Sequence, residues 1–414
     1  MTQVLIIGGG IAGAASALAL HKAGIEVAVF EAHPDSGQDI GAFLTLASNG
    51  MRALAQFDAA AVVGRLGFPL TAMHVLDDTG AVVADVPLGE HDNPANNFRC
   101  LLRADLGAAL QAEVRRRGIP LRHGARLFAL DEDADGVTAT FADGHTATGA
   151  LVIGADGLNS TTRALTSPDP VEPHYAGQQV FYGYTADAAP PTGSERITMV
   201  RSSTAAFGYA VSPAGETYWF ARVAGAAASA EEIATGTADE WRERLVPLLR
   251  RADTPAADIV AATGDRLMLT NAWDLPTGVR WYTDRTLLLG DAAHAASPAT
   301  GQGASMALED AVVLAKALRD APDQAAALAE YERLRRPRVE HNIVVSAQLS
   351  AGKAPSRPGP AFDRGRPAAA RSGSGAGTAP AEGAKPGAPA DRPAAAQADE
   401  NLVQLLDWNT KFEF

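Results

Sequence analysis

Four consecutive apolar residues, Val4–Ile7, open the chain with no polar position among them. Such a run predicts a short strand covered on both faces. Ile11–Ala23 follows as a helix, with Gly24 where helices end in a left-handed residue. Ile25–Phe30 predicts a second buried strand, so the chain begins βαβ. A helix around Asn49–Phe57 comes next, then an antiparallel pair at Thr71–Leu76 and Ala81–Val86 around an Asp-Thr-Gly turn. Arg103–Arg117 predicts a helix, and Ala125–Leu130, Gly136–Phe141 and Thr146–Ile153 predict short strands. From about Thr166 to Leu275 apolar and polar positions alternate, over Val180–Thr185, Ile197–Arg201, Ala205–Val211 and Thr217–Val223. That pattern predicts a sheet with one covered face and one face open to a ligand. Leu287–Leu289 returns to the fully buried pattern, with a helix after Gly303 and a long one over Gln324–Leu349.

The pattern fails at 351–397, where Ala, Pro, Gly, Ser and Arg dominate. Too few apolar side chains are present there to offset the entropy of ordering, which predicts a disordered linker. Apolar residues reappear in Leu402–Phe414, within a tail at 398–414 predicted to dock on the body. The organisation read from the pattern is an α/β chain. Its first domain is discontinuous (1–165 and 276–350), with a sheet domain inserted at 166–275 that takes a contribution from about 70–100.

Composition narrows the function classes. The 414 residues, 47% hydrophobic, suffice for a substantial core. Net charge is −13, from 48 acidic and 35 basic residues with no Lys/Arg block, which argues against a nucleic-acid surface or an anionic membrane patch. Cys100 is the only cysteine, which excludes an intrachain disulfide framework and a thiolate metal cluster; no metal site is expected. Val4–Leu20 lacks a basic leader and contains four glycines, so it does not read as a signal segment, and no membrane span is evident. A cytoplasmic protein, monomeric or homodimeric, is expected.

Two stretches carry chemistry. Gly8-x-Gly10-x-x-Gly13 lies between the first strand and the first helix. Gly8 permits the tight turn, Gly10 lets backbone approach a pyrophosphate, and Gly13 allows helix and strand to pack closely. Glu31 ends the second strand, where a carboxylate accepts hydrogen bonds from an adenosine ribose. The second stretch, RTLLLGDAAHAASPATGQGASMALEDA at 285–311, runs from a buried strand through Gly290-Asp291 to a glycine-flanked helix start at Gly301-Gln302-Gly303. It sets a carboxylate beside the positive end of a helix, a place suited to hydroxyls and a partly anionic ring. A Rossmann-type dinucleotide-binding domain follows from these features; they leave NAD(P) and FAD open.

A third glycine-acid turn, GADGLNSTTR at 154–163, completes a set. GGGIAG, GADGLNSTTR and GDAAHAASPATGQGASMALEDA in this order resemble the class A flavoprotein monooxygenases, the para-hydroxybenzoate hydroxylase-like family, over about residues 4–345. The resemblance implies tight, non-covalent FAD. Gly8, Gly10, Ile11, Ala12, Gly13 and Glu31 would hold its ADP half. Arg103, in LLRADLGAAL, would reach the phosphate or ribityl region. Asp156 would take part in FAD and NADPH handling or would serve as a structural turn residue. Asp291 would bind the ribityl hydroxyls, Pro298 would lie against the flavin ring, and Gly301, Gly303 and Ala304 would face its N1/C2 edge. His294 is assigned a structural role rather than acid/base work. The chain departs from the family in Ala295 after the histidine, in Ala32-His33 after Glu31, and in lacking a proline before Asn49.

The implied reaction is reduction of FAD by NADPH or NADH, bound transiently since no second GxGxxG exists, followed by O2 and oxygen transfer from a flavin C4a-hydroperoxide to an aromatic or polyketide-like substrate. That substrate should lie between Pro298 and the sheet of residues 180–223. Tyr182 and Tyr184 share one strand face, Phe207 and Tyr209 another, and Tyr218, Phe220 and Arg222 a third. Which faces are covered is open at this point, and no catalytic base is assigned; Arg222, Tyr218, Tyr182 and the Pro298 region are the candidates. A halogenase would carry Trp-x-Trp-x-Ile-Pro, which none of Trp219, Trp241, Trp273, Trp281 and Trp408 forms. A prenyl reductase would have a more apolar substrate domain, and a non-catalytic flavin-binding protein would hold FAD without substrate-stimulated NADPH oxidation.

Overall fold

The computed structural model describes residues 3–35, 42–90, 93–167, 169, 171–188, 190, 195–202, 204–353 and 394–414. Most of the stretch read as a linker, 354–393, thus lies outside the described residues.

The first apolar runs form a five-stranded parallel sheet in the order Thr286–Leu288, Leu151–Gly154, Val4–Ile7, Val27–Phe30, Leu121–Arg122. Period-two alternation divides its side chains between two cores. Val4, Ile6, Val27, Val29 and Ile153 pack against helices, chiefly Ile11–Lys22 and Gly303–Asp320. Leu5, Ile7, Ala28, Phe30 and Val152 pack instead on a three-stranded antiparallel sheet, Leu127–Glu132, Val137–Phe141 and Thr146–Gly149. With both faces covered, the central strands Val4–Ile7 and Val27–Phe30 are continuously apolar. Every such Leu, Ile or Val contributes roughly 1.5–3 kcal/mol by leaving water.

The single strand expected over Thr146–Ile153 is two strands in different sheets. Thr146–Gly149 pairs with Val137–Phe141, whereas Leu151–Gly154 pairs with Val4–Ile7. The crossing depends on Gly149, where a methyl group would stand 2.4 Å from the Gln3 carbonyl oxygen.

The inserted region is a seven-stranded mixed sheet in the order Leu267–Asp274, His174–Thr185, Thr217–Ala224, Ala206–Val211, Arg196–Arg201, Ala72–Leu76, Val82–Pro87. Ala72–Leu76 joins it in parallel to Arg196–Arg201. The stretch read as continuous strands also contains helices Ala230–Thr235, Ala238–Leu249 and Ala256–Ala261. A capping box between Thr237 and Glu240 starts the second of these, and Trp241, Leu245 and Leu249 form its buried stripe. Those helices cover one face of the sheet, over Phe181, Phe207, Tyr209 and Trp219. The other face meets a three-stranded sheet of Phe43–Leu46, Phe98–Leu102 and Phe68–Leu70. Phe207 and Tyr209 therefore line the helix-covered core, not a ligand face.

The last elements brace the first domain. Gln324–Ser350 packs along Gly303–Asp320. A helix at Ala394–Leu406 begins within the last residues of the predicted linker. Leu402 and Leu406 are buried in the main core, with Trp408 and Phe412 packed against it. Buried Lys316 donates from Nζ to the carbonyl oxygens of Leu405 (2.6 Å) and Asp407 (2.7 Å), closing that helix end. Burial pushes the Lys316 ammonium down to about 8. None of the described helices is long and apolar enough to cross a membrane.

Candidate functional site

The three glycine turns converge at the carboxyl edge of the parallel sheet. Gly8 follows Val4–Ile7 with φ +101°, and a methyl group there would lie 2.5 Å from the Ala155 carbonyl oxygen. A methyl group on Gly13 would stand 1.9 Å from the Gly8 carbonyl oxygen. At Gly10 the same addition meets nothing within 4 Å, so the exposed turn faces open space. Each glycine thus has a separate spatial reason: backbone conformation and close approach at Gly8, packing at Gly13, and clearance for a ligand at Gly10.

Gly10 is the N-cap of Ile11–Lys22 and no side chain caps it, so the first backbone N–H groups are free to hold an anion. Half-buried Ile11 and Ala12 flank this start. Glu31 lies beside it. Its Oε2 accepts from the Gly9 N–H (2.5 Å) and its Oε1 from the His33 N–H (2.7 Å). A carboxylate offers about four acceptor positions, so two remain for hydroxyl donors. Gln111, unremarked in the sequence, donates from Nε2 to the Gly9 carbonyl oxygen (2.8 Å) and fixes the turn from behind.

The third turn meets the first. Gly290 has φ +58°, and a methyl group on it would stand 2.9 Å from the Ala12 Cβ. Asp291 begins the short helix Asp291–His294, half-buried, its carboxylate without a hydrogen-bond partner among the described residues. Pro298, Gly301 and Gly303 are exposed along the same loop, with Ala304 half-buried after them. Gly303–Asp320 also starts without a side-chain cap, so a second positive helix end opens onto this face; a methyl group on Gly303 would stand 4.0 Å from Asp291 Oδ1.

What holds this loop is a buried charge cluster that sequence reading missed. His294 Nε2 lies 2.7 Å from Asp310 Oδ2, which also accepts from the Gly290 N–H (3.1 Å). Arg335 donates to Asp310 Oδ1 (2.7 Å) and Glu309 Oε2 (2.6 Å), and all three side chains are fully buried. Arg338 and Asn49 also donate to Glu309. Burial alone would raise both carboxyls. The charges of Arg338 and Arg335 around Glu309, and of His294 and Arg335 around Asp310, hold each down at about 2. On the outer side Thr300 donates to Asn342 Oδ1 (2.9 Å), and the Ser297 and Ser350 hydroxyls lie 2.8 Å apart.

The Asp156 backbone lies against the first turn, 2.9 Å from a methyl group placed on Gly8. Its carboxylate accepts from the Ser160 hydroxyl (2.5 Å) and from the Thr162 N–H (2.9 Å) and hydroxyl (3.0 Å). Ser160 caps the helix Thr161–Thr166, and buried Arg163 donates onward to the Ala292 carbonyl oxygen (2.9 Å). Through Ser160 and Arg163 the Asp-Gly turn is thereby tied to the Asp291–His294 helix.

Strand Phe43–Leu46 links the cradle to the inserted sheet. A methyl group on Gly301 would lie 3.4 Å from the Thr45 hydroxyl, and the Ser305 hydroxyl oxygen accepts from the Ala47 N–H (3.2 Å) just past the strand. Two residues before Thr45, the Phe43 ring centroid lies 5.7 Å from that of Tyr218, 6.3 Å from Tyr182 and 6.2 Å from Tyr184 and Phe220. Tyr182, Tyr184, Tyr218, Phe220 and Arg222 share this face through the register Tyr182↔Phe220 and Tyr184↔Tyr218. Exposed Arg103, at the start of Arg103–Arg116, is close enough to act on Tyr182 electrostatically. Burial pushes the phenols up, Tyr218 to about 12 and Tyr182 and Tyr184 also upward, so none is a ready base near neutral pH.

Residues 1–346 match the family model described as FAD binding domain. The FAD-dependent urate hydroxylase of Klebsiella pneumoniae is 32% identical over 353 residues, covering 84% of this chain and 88% of that protein. A 3-amino-4-hydroxybenzoate 2-monooxygenase of Streptomyces platensis is 33% identical, covering 81% of this chain and 85% of its own length. Among solved structures, Klebsiella pneumoniae HpxO complexed with FAD and uric acid superimposes with a TM-score of 0.76 at 28% identity, over 85% of this chain and 89% of that one. With the uncapped helix ends and clear space at Gly10 fitting a dinucleotide, the chain belongs to the FAD-binding-domain family and, within it, to the class A flavoprotein monooxygenases.

Proposed function

We propose that this chain hydroxylates an aromatic small molecule, using NADPH or NADH and O2. The observation that carries the reading is Phe43–Leu46, which sets the aromatic face of the inserted sheet directly beside the Gly301–Gly303 loop. Bound FAD would supply the redox chemistry, accepting a hydride from the nicotinamide and delivering one oxygen atom of O2 to the ring. The chain's own work is binding, orientation and exclusion of water. Backbone N–H groups from Ile11 onward would hold the pyrophosphate, with Glu31 on the ribose and Arg103 nearby. Asp291 would accept from the ribityl hydroxyls, and the start of Gly303–Asp320 would favour negative charge on the ring edge near it. Tyr182, Tyr218, Phe220 and Phe43 would enclose the substrate and keep water from the reacting atoms.

The test is a screen of aromatic compounds against the purified flavin-loaded protein. NADPH or NADH consumption should rise with a substrate, and the product should gain the mass of one oxygen atom. Failure of both NADPH and NADH to reduce the bound flavin, with every compound tried, would overturn the reading. Asp291→Ala should leave the fold intact and weaken FAD retention by roughly tenfold or more, since one or two hydrogen bonds to a charged group are lost. Equal flavin content after dialysis of variant and wild type would refute that role.

A further inference from the structure

Three helices that begin at the cradle are joined again at their opposite ends. Ile11–Lys22 starts at Gly10, and Gly303–Asp320 starts at the Gly301–Gly303 loop. Ser48–Gln56 starts beside that loop, with Asn49 donating to Gln302 Oε1 (3.1 Å). Their last turns meet the segment at 400–414. The Trp408 N–H donates to Gln56 Oε1 (2.9 Å), and its carbonyl oxygen accepts from Arg319 (2.7 Å). Lys22 Nζ and the Arg319 guanidinium lie over the Trp408 ring, 5.2 and 5.0 Å from its centroid. Phe412 lies under Lys316 Nζ (4.5 Å) and donates its N–H to Asp320 Oδ2 (3.0 Å). Trp408 thus touches the last turn of all three helices. The two ends are held differently. At the cradle the fit has no slack, since a methyl group on Gly50 would stand 2.8 Å from Ser305 Oγ, as tightly constrained as Gly13. At the far end, only Leu402 and Leu406 are buried among the side chains of 400–414. A segment with so few buried apolar groups opens at low free energy without unfolding the rest.

We infer that 400–414 is a clasp whose docking and FAD binding strengthen each other from opposite ends of these helices. Ile11–Lys22 and Gly303–Asp320 are rods of roughly 18 and 27 Å, each moving as a unit. Fixing their far ends narrows the positions open to the backbone N–H groups at Gly10 and Gly303. Conversely, a cofactor that holds the near ends presents Lys22, Gln56 and Arg319 at the spacing Trp408 requires. Such coupling is reciprocal, with the same factor acting in both directions. The clasp touches neither substrate nor cofactor and takes part in no chemical step.

The test is amide hydrogen exchange of the full chain with and without FAD, read by mass spectrometry, together with the FAD affinity of variants. FAD should slow exchange over 400–414 by roughly fivefold or more and leave the surface helix Ala238–Leu249 of the inserted sheet unchanged, which separates the coupling from a general gain in stability. Trp408→Ala should speed exchange over 400–414 and raise the FAD dissociation constant by roughly five- to tenfold, again sparing Ala238–Leu249. Val403→Gln, at an exposed position of the same C-terminal helix, should alter neither. The wild-type comparison needs no variant and is decisive on its own if Trp408→Ala fails to fold. Equal exchange over 400–414 in the flavin-loaded and flavin-free chain overturns the inference, as does a Trp408→Ala protein with a loosened segment and wild-type FAD affinity.

Discussion

Replacing Arg335 with alanine is expected to lower the melting temperature by roughly 10 °C, corresponding to about 3–5 kcal/mol. Arg335 donates to Asp310 and Glu309, and none of the three side chains reaches solvent. Removing the guanidinium leaves carboxylates that water cannot reach, and the penalty for unpaired buried charge exceeds the worth of the pair itself. The acid response gives a second readout. Both carboxyls titrate below their ordinary values, at about 2, so their contribution is complete above the ordinary carboxylate range and is lost as pH falls toward about 2. In Arg335→Ala that depression shrinks and the acid-unfolding midpoint should move to higher pH. Thermal and acid midpoints within error of wild type would refute the assignment.

The second large effect separates two glycines three residues apart. Gly13→Val should abolish soluble flavin-loaded protein, because its Cβ would lie 1.9 Å from the Gly8 carbonyl oxygen, and backbone on both sides must move. Gly10→Val has the opposite signature. Its φ of −67° is ordinary for any residue and its Cβ meets nothing within 4 Å, so the variant should fold with a wild-type melting temperature as apoprotein. It should nevertheless lose FAD by roughly 100-fold or more in affinity, because the new side chain fills the space that a pyrophosphate must enter. Circular dichroism and flavin absorbance measured on both variants decide the matter. A Gly10→Val protein that retains its flavin, or a Gly13→Val protein that folds and binds normally, would contradict the assigned division of labour.

That division was legible in the sequence because each glycine answers to chain only a few residues away or to the strand beside it. The parallel strands were legible for a similar reason: burial on both faces leaves four apolar residues in a row. The aromatic site was harder. Alternation along Thr217–Ala224 separates Phe220 from Trp219, but it does not say which side meets the cradle. The choice is made by Phe43–Leu46 and Phe98–Leu102, short strands far away in the chain that cover one face, and by Ala238–Leu249, which covers the other. The T-x-x-E at Thr237–Glu240 was the available signal for that helix. Glu309, Asp310 and Arg335 read as ordinary helix charges, since the two acids stand more than twenty residues from the arginine and only packing of Gly303–Asp320 on Gln324–Ser350 joins them.

The same trio constrains how this chain can diverge. In a library that randomises Glu309, Asp310 and Arg335 together, single replacements should be nearly absent among folded survivors, because each leaves an opposite charge stranded. Survivors should instead change in concert, many to apolar side chains of matched volume, and a sequence lineage could leave the charged solution only by crossing several codons at once.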